Sequence, residues 1–440
     1  MFTKREYVTE EYNMYKSNLI FEKLVSQELD SSLSTLYINT EDVLSVQRKR
    51  YENAIKQHNS IFGEKDIEIY SAPGRTEVGG NHTDHQHGEV LAASVNLDAI
   101  AIVSDNSDNM IKIVSEGYSP VEIDLDDISY SEDEKETTLS LIKGILNGFI
   151  ERGFKIGAFN AYITSDVLNG AGLSSSAAFE TLIGTILSGL YNDMNISPID
   201  IAIIGQYAEN NFFGKPCGLM DQMACSVGGF VHINFENPDK PVVEQVKFDL
   251  DKEGYCLCIV DTKGSHADLT EDYAMIPLEM KEVASKMNKE VLGEIDSNDF
   301  FKKLPEIAKE VSPRALLRAI HFFNENKRVE LETDALLKEN FEEFLKLVKA
   351  SGDSSYKCLQ NIYSPKDAKN QPIALAITVS EAFLGNNGVC RVHGGGFAGT
   401  IQIFVKKNFV SSYKNYIEQI FGEGSCHILN IRGIGGAKVC

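Results

Sequence analysis

Asn81, His82, Asp84, His85 and His87 fall within seven residues, inside the segment Pro73-Gly-Arg-Thr-Glu-Val-Gly-Gly-Asn-His-Thr-Asp-His-Gln-His-Gly88. Such a density of donors and acceptors suits a polyhydroxylated ligand, because each hydroxyl wants one of each. A metal site is the rival reading, since His82, Asp84, His85 and His87 are all possible ligands, but no second Cys/His cluster completes it. A merely solvated loop is the third. A different chemistry is written in Asn169-Gly-Ala-Gly-Leu-Ser-Ser-Ser-Ala-Ala178. After it Phe179, Leu182, Ile183, Ile186, Leu187 and Leu190 recur at helical spacing, so a Gly/Ser loop opens directly into an amphipathic helix. Free N–H groups and the positive dipole end of that helix would then face any anion on the loop, a phosphate above all. The bland alternative is an ordinary serine cap after a turn. No GxxxxGK[ST] occurs, so this is not a Walker A loop.

Two further segments carry candidate groups. In Ala208-Glu-Asn-Asn-Phe-Phe-Gly-Lys-Pro-Cys-Gly-Leu-Met-Asp-Gln-Met223, Glu209 and Asp221 are carboxylates set among apolar and turn residues. Each is either a helix cap or a functional group whose partner lies elsewhere in the fold. His393-Gly-Gly-Gly-Phe-Ala-Gly-Thr400 contains a formal GxGxxG, but a strand rather than a helix is expected after it, at 400–405. The dinucleotide reading fails on that context.

The elements that must hold these loops mix helix and strand. Ile67-Glu-Ile-Tyr70 alternates as a strand and breaks at Ser71-Ala-Pro-Gly-Arg75. The apolar runs at 99–103 and 110–114 flank Asp105-Asn-Ser-Asp-Asn109 and read as a hairpin. Residues 138–149 carry a helical face, and the Lys/Glu/Leu-rich stretch 281–348 reads as a run of helices. Residues 1–60 are charged, amphipathic and free of glycine, with no chemistry of their own. Lys+Arg is 42 against Asp+Glu 64 in 440 residues, a net charge of −22, which repels nucleic acid and anionic membrane. The densest basic run, Arg48-Lys49-Arg50, is too short to override it. Eight dispersed cysteines without a CxxC fit a reduced compartment. No stretch has the apolar length of a membrane span or the core of a signal peptide. A cytoplasmic protein with two lobes and a site between them is expected.

In this order, the four segments resemble the GHMP small-molecule kinases, and within them the galactokinase family. That family's motifs read roughly PGRxNxIGEHTDYNxG, GGGLSSSA, AExxFxGxPCGxMDQ and TGGGFGG; the resemblance spans about residues 60–440. It implies an α+β, two-lobed GHMP kinase fold with the active site in the inter-lobe cleft. Residues 1–60 would form a helical extension packed on the N-terminal lobe, 61–235 the N-terminal domain and 236–440 the C-terminal domain. The implied reaction is ATP-dependent phosphorylation of galactose, or a close relative, at the C1 hydroxyl. Kinases for galacturonate or N-acetylgalactosamine, or a catalytically silent sugar sensor, are the alternatives. Carried over by position, Asp221 is the catalytic carboxylate and Arg75 its partner, favouring the ionised form and offsetting phosphoryl charge. Gly170, Gly172, Leu173, Ser174, Ser175 and Ser176 would cradle the nucleotide phosphates. Ser176 and Glu209 would hold Mg²⁺. Asn81, His82, Asp84, Gly218 and Tyr273 would contact the sugar; Ala-Met-Ile follows Tyr273 where the family has Asn-x-Arg-Arg. Partners would be the sugar and ATP, and the chain a monomer or weak homodimer. The sequence departs from the motif at three places: Glu77 stands for Asn, Asn81 for Glu and His85 for Tyr. These departures leave the catalytic positions intact and fall in the loop that would contact the sugar.

Overall fold

A short strand, β1 (Tyr15–Lys16), and three helices, α1 (Ser17–Val25), α2 (Asp30–Leu36) and α3 (Glu41–Phe62), precede two long strands, β2 (Asp66–Gly79) and β3 (Glu89–Asp105). Side chains alternate between faces along a strand. Ile67, Ile69, Ile100 and Ile102 take one face and meet Ile20, Leu24, Leu33, Leu44 and Tyr51 of the three helices. Tyr70, Ala72, Ala99, Ala101 and Val103 take the other. The chain continues through β4 (Met110–Ser115), β5 (Val121–Asp124), α4 (Thr138–Glu151), β6 (Phe159–Ser165), α5 (Ser175–Asn192) and α6 (Pro198–Ala208). The helices α4, α5 and α6 cover that second face with Ile142, Ile145, Leu182, Ile183, Ile186 and Ile204. The sheet is therefore buried on both sides, and its strands read as nearly continuous apolar runs. The computed structural model describes residues 15–168, 170, 172–238, 240–264, 269–397 and 399–440. Asn169, Ala171 and Ala398 of the motifs above lie outside them.

The expected hairpin between 99–103 and 110–114 does not form. The sheet order is β1-β2-β3-β6-β4-β5, so β6 lies between the two runs. It pairs antiparallel with β3 and parallel with β4, Lys112 facing Asn160. The turn at 105–109 is long enough to span two strand spacings, roughly 10 Å, and β6 brings apolar Ala161 and Ile163 that a two-stranded ribbon would lack.

After α7 (Met220–Val227), strands β7 (Phe230–Asn234) and β8 (Val242–Val246) extend the same sheet from the far end of β3. A second, four-stranded antiparallel sheet contains β9 (Tyr255–Asp261), β10 (Gly388–Val392), β11 (Thr400–Lys406) and β12 (Cys426–Leu429), in the order β10-β11-β9-β12. Between β9 and β10 come α8 (Thr270–Ser285), α9 (Ser297–Ile307), α10 (Pro313–Leu337), α11 (Phe341–Ser354) and α12 (Pro372–Leu384); α13 (Val410–Phe421) follows β11. The helical run expected at 281–348 is thus present. One face of the second sheet packs on α12 and α13 through Ile377, Tyr413 and Ile417. The other meets Val329, Phe344 and Val348 in a cluster that also includes Leu91, Val95 and Phe230 of the first sheet.

The division at 235/236 is not a clean cut. Strand β8 lies beyond it yet pairs with β7, and the last strand, β13 (Ala437–Lys438), returns to pair with β2. Near that return, Arg432 reaches the fully buried Asp98 at 3.0 Å, while Arg50 of α3 binds the other carboxylate oxygen at 2.7 Å and Tyr37 donates at 2.6 Å. Burial opposes charge on Asp98; Arg50 and Arg432 overcome it and hold the carboxyl below its usual range. Among the described residues no helix is long and apolar enough to cross a membrane.

Candidate active site

Strand β2 and the Gly/Ser loop touch where a side chain would prevent it. The pairing of β2 shifts register between Pro73 and Arg75. A Cβ on Gly74 would lie 2.7 Å from the carbonyl oxygen of Leu173, and the next amide, Arg75 N, donates to that oxygen at 3.0 Å. Gly172 holds φ at +70°, and its carbonyl accepts from Arg75 Nη1. The guanidinium then makes two parallel bonds to Asp221, Nε to Oδ1 at 2.8 Å and Nη2 to Oδ2 at 2.6 Å. This is a charge-assisted fork with little freedom of orientation. Burial works against the Arg75 charge, and Asp221 more than compensates, so the guanidinium pKa is raised. Asp221 sits in the first turn of α7, and its side chain is 32% exposed.

Ser174 does not serve as an ordinary helix cap. It adopts a left-handed backbone (φ +53°) ahead of α5, and its side chain makes no capping bond. Its hydroxyl donates to Asp221 Oδ2 instead. The start of α5 therefore keeps its positive end uncapped by Ser174, with Ser176 exposed in the first turn, Leu173 buried beneath and open space around Gly170.

Glu209 begins a widened π turn (Glu209–Phe213) at the end of α6 and is buried. Gln222 Nε2 donates both to Glu209 Oε2 at 2.9 Å and to Glu180 Oε2 at 3.0 Å. Glu180 Oε1 is buried without a partner, and burial, with Glu209 beside it, raises the Glu180 carboxyl well above its ordinary range. The exposed Lys215 reaches Glu209 at 3.3 Å. Two buried carboxylates sharing one amide form a patch short of positive charge, a donor set that suits a hard divalent cation.

The turn at 80–88 places Asp84 Oδ2 2.6 Å from where a Cβ on Gly218 would sit. His85 is exposed, 3.6 Å from Asp84 Oδ1. The His82 ring bonds the carbonyl of Gly395 at 3.0 Å; burial, with His85 nearby, lowers its pKa to about 4, so the ring is neutral. Tyr273 of α8 donates to the carbonyl of Gly396 at 2.8 Å and packs edge-on against Phe397. The His82 and Tyr273 contacts fall on the loop between antiparallel β10 and β11, which is followed by a strand and not a helix. The dinucleotide reading is excluded by that connection. His393, buried in this loop, bonds Thr76 and Thr400 hydroxyls at 3.0 Å each and lies 3.2 Å from a Cβ position on Gly172.

The structure thus joins Arg75, Gly172, Ser174 and Asp221 directly, sets Gly218 against Asp84, and gathers His82 and Tyr273 on one hairpin loop. Asn81 differs: it has no exposed surface, and its amide is bonded to Glu77, Gly394, Ser355 and Asn361. Sequence reasoning missed Glu180 and Gln222. Glu180 left a signal, an acid inside an apolar helical run; Gln222 left one too, as the last residue of the third family motif.

Comparisons with known proteins fall on the same segments. Residues 140–229 match the GHMP kinases N terminal domain, and residues 56–105 match the galactokinase galactose-binding signature. Galactokinase of Enterococcus faecalis is 30% identical over 369 residues, covering 82% of this chain and 91% of that protein. Galactokinase of Lactobacillus helveticus is 29% identical over 378 residues, covering 84% and 94%. The fold superposes on Lactococcus lactis galactokinase complexed with galactose at a TM-score of 0.74, with 23% identity and coverage of 87% and 98%. The motifs, the two-sheet fold and this extent of shared sequence agree, and the chain belongs to the galactokinase family of GHMP kinases.

Proposed function

We propose that the protein transfers the γ-phosphoryl group of ATP to the C1 hydroxyl of galactose, giving the sugar 1-phosphate and ADP. The observation that carries this reading is the Arg75–Asp221 fork at the mouth of the Gly/Ser loop, with Ser174 tied into it. In the reaction the C1 oxygen bonds to the γ-phosphorus as the bond from that phosphorus to the ADP oxygen breaks. Asp221 takes the proton released from the C1 hydroxyl and, being partly exposed, passes it to solvent. Arg75 orients that carboxylate through two bonds and offsets charge on the transferring group. The loop carrying Gly170, Gly172, Leu173, Ser174, Ser175 and Ser176 receives the nucleotide phosphates, with the N-terminal end of α5 behind them.

Mg²⁺ would be held by Ser176 and Glu209, with the buried Glu180 carboxyl beside Glu209 through Gln222. Held there, it would offset negative charge on the nucleotide phosphates. Among the described residues no group of three or more His, Cys, Asp or Glu is placed to hold a metal ion. His82, Asp84, Gly218 and Tyr273 would surround the sugar. Neutral His82 and the carboxylate of Asp84 offer the mixture of donor and acceptor that sugar hydroxyls require.

The test is ADP release across galactose, galacturonate, N-acetylgalactosamine and glucose, with the phosphorylated position read by phosphorus NMR. Galactose is expected to give the highest kcat/KM and a C1 phosphate. Binding of sugar and ATP without turnover would favour the sensor reading instead.

A further inference from the structure

A neutral amide offers two donors and two acceptor positions, and in Asn81 all four are taken. Nδ2 donates to Glu77 Oε1 at 2.9 Å and to the carbonyl of Gly394 at 2.8 Å; Oδ1 accepts from Asn361 Nδ2 at 2.8 Å and Ser355 Oγ at 3.2 Å. The backbone carbonyl of Asn81 is bonded to His321 Nε2 at 2.9 Å. Every partner except Glu77 belongs to the C-terminal half: His321 on α10, Ser355 just after α11, Asn361 beyond it and Gly394 on the hairpin loop. The residues on either side are held the same way, Gly80 N donating to Glu325 Oε1 at 3.1 Å and His82 bonding the carbonyl of Gly395. Glu77 is itself buried and paired with fully buried Arg391 at 2.8 Å. The departures from the family motif at 77 and 81 are therefore one hydrogen-bonded exchange, an acid where the motif has Asn and an Asn where it has an acid.

We infer that Asn81 is a positioning residue, the clasp that fixes the turn at 80–88 to the C-terminal half and so sets the places of His82 and Asp84, and that it makes no contact with the sugar. This rests on the sugar-kinase reading for its kinetic consequences and on the hydrogen bonds alone for the clasp.

The variants are Asn81→Ala, and Asn361→Ala on the other side of the clasp, each assayed with galactose, 2-deoxygalactose and 6-deoxygalactose. A residue that reads a hydroxyl loses its effect once that hydroxyl is absent, whereas a clasp costs every sugar alike. Both variants are expected to raise KM by the same factor for all three sugars, about tenfold or more, with much smaller changes in kcat and in KM for ATP. Amide exchange is expected to quicken at 82–87 and 394–397 in both. A loss with galactose that vanishes with either deoxy sugar overturns the inference. So does Asn361→Ala with unchanged sugar KM, and that variant decides the matter if Asn81→Ala does not fold. Were the wild type inactive on every sugar, the sugar reading would fall; unchanged exchange in Asn361→Ala would then overturn the clasp separately.

Discussion

Ser174 is spent on Asp221 and not on its helix, and this has a measurable consequence. Its hydroxyl and the Arg75 fork converge on the same carboxylate, Ser174 sharing Oδ2 with Arg75 Nη2. A hydrogen bond to a charged group contributes about 1.5–3 kcal/mol. Ser174→Ala is therefore expected to lower kcat by about tenfold or more, while the urea midpoint moves little because no helix cap is lost. Steady-state kinetics beside urea titration checks this; an unchanged kcat with a lowered midpoint would restore the capping role. The resemblance to the family motifs implied that Arg75, Gly172 and Asp221 serve one site; the residues by themselves left Asp221 as either a helix cap or a functional group with a distant partner. The sequence could not reveal that Ser174 turns left-handed, or that Asn81 faces Asn361 280 residues away. Both depend on where loops from distant strands meet, and neither leaves a periodicity.

At the scale of elements, α1, α2 and α3 close the sheet. Without them Ile67, Ile69, Ile100 and Ile102 would be exposed to water on one whole face. The amphipathic pattern before residue 60 made helices legible; that they supply Tyr37 and Arg50 to a carboxylate on β3 was not. The hairpin misreading has the same origin. Local alternation identifies a strand and says nothing of its neighbour, and β6 arrives from about 50 residues downstream to take the place between β3 and β4. Asp98 ties three separate segments together, with Arg432 as fully buried as itself. Arg432→Met breaks a buried pair, a change that typically costs about 3–5 kcal/mol. The expected result in urea unfolding is a loss of that order, accompanied by faster amide exchange in α3 and β13. A loss below about 1 kcal/mol would mean that Arg50 alone satisfies Asp98.

For the molecule as a whole, buried histidines set an acid limit. Burial lowers His58 to about 4, and His82 likewise, and depresses His321 and His393. An unfolded histidine takes a proton near 6.5, so between about 6.5 and 4 the unfolded chain binds more protons than the folded one. The stability this gives is present above 6.5 and is lost as pH falls towards 4. Buried Glu77, raised to about 7, acts in the opposite direction, so the contribution of His58 is best read as a difference between proteins. Wild type is expected to lose stability relative to His58→Gln across that window by at most about 3 kcal/mol; parallel pH profiles of the urea midpoint would contradict it. Strand, loop and helix from across the N-terminal half meet at one phosphoryl-transfer centre, and its chemistry turns on Asp221. The most direct measurement sets turnover of galactose by Asp221→Asn beside its galactose affinity. The expected result is a kcat lower by about 10²–10⁴-fold with galactose binding close to wild type. A variant that keeps more than about a tenth of wild-type turnover would show that Asp221 does not take the proton.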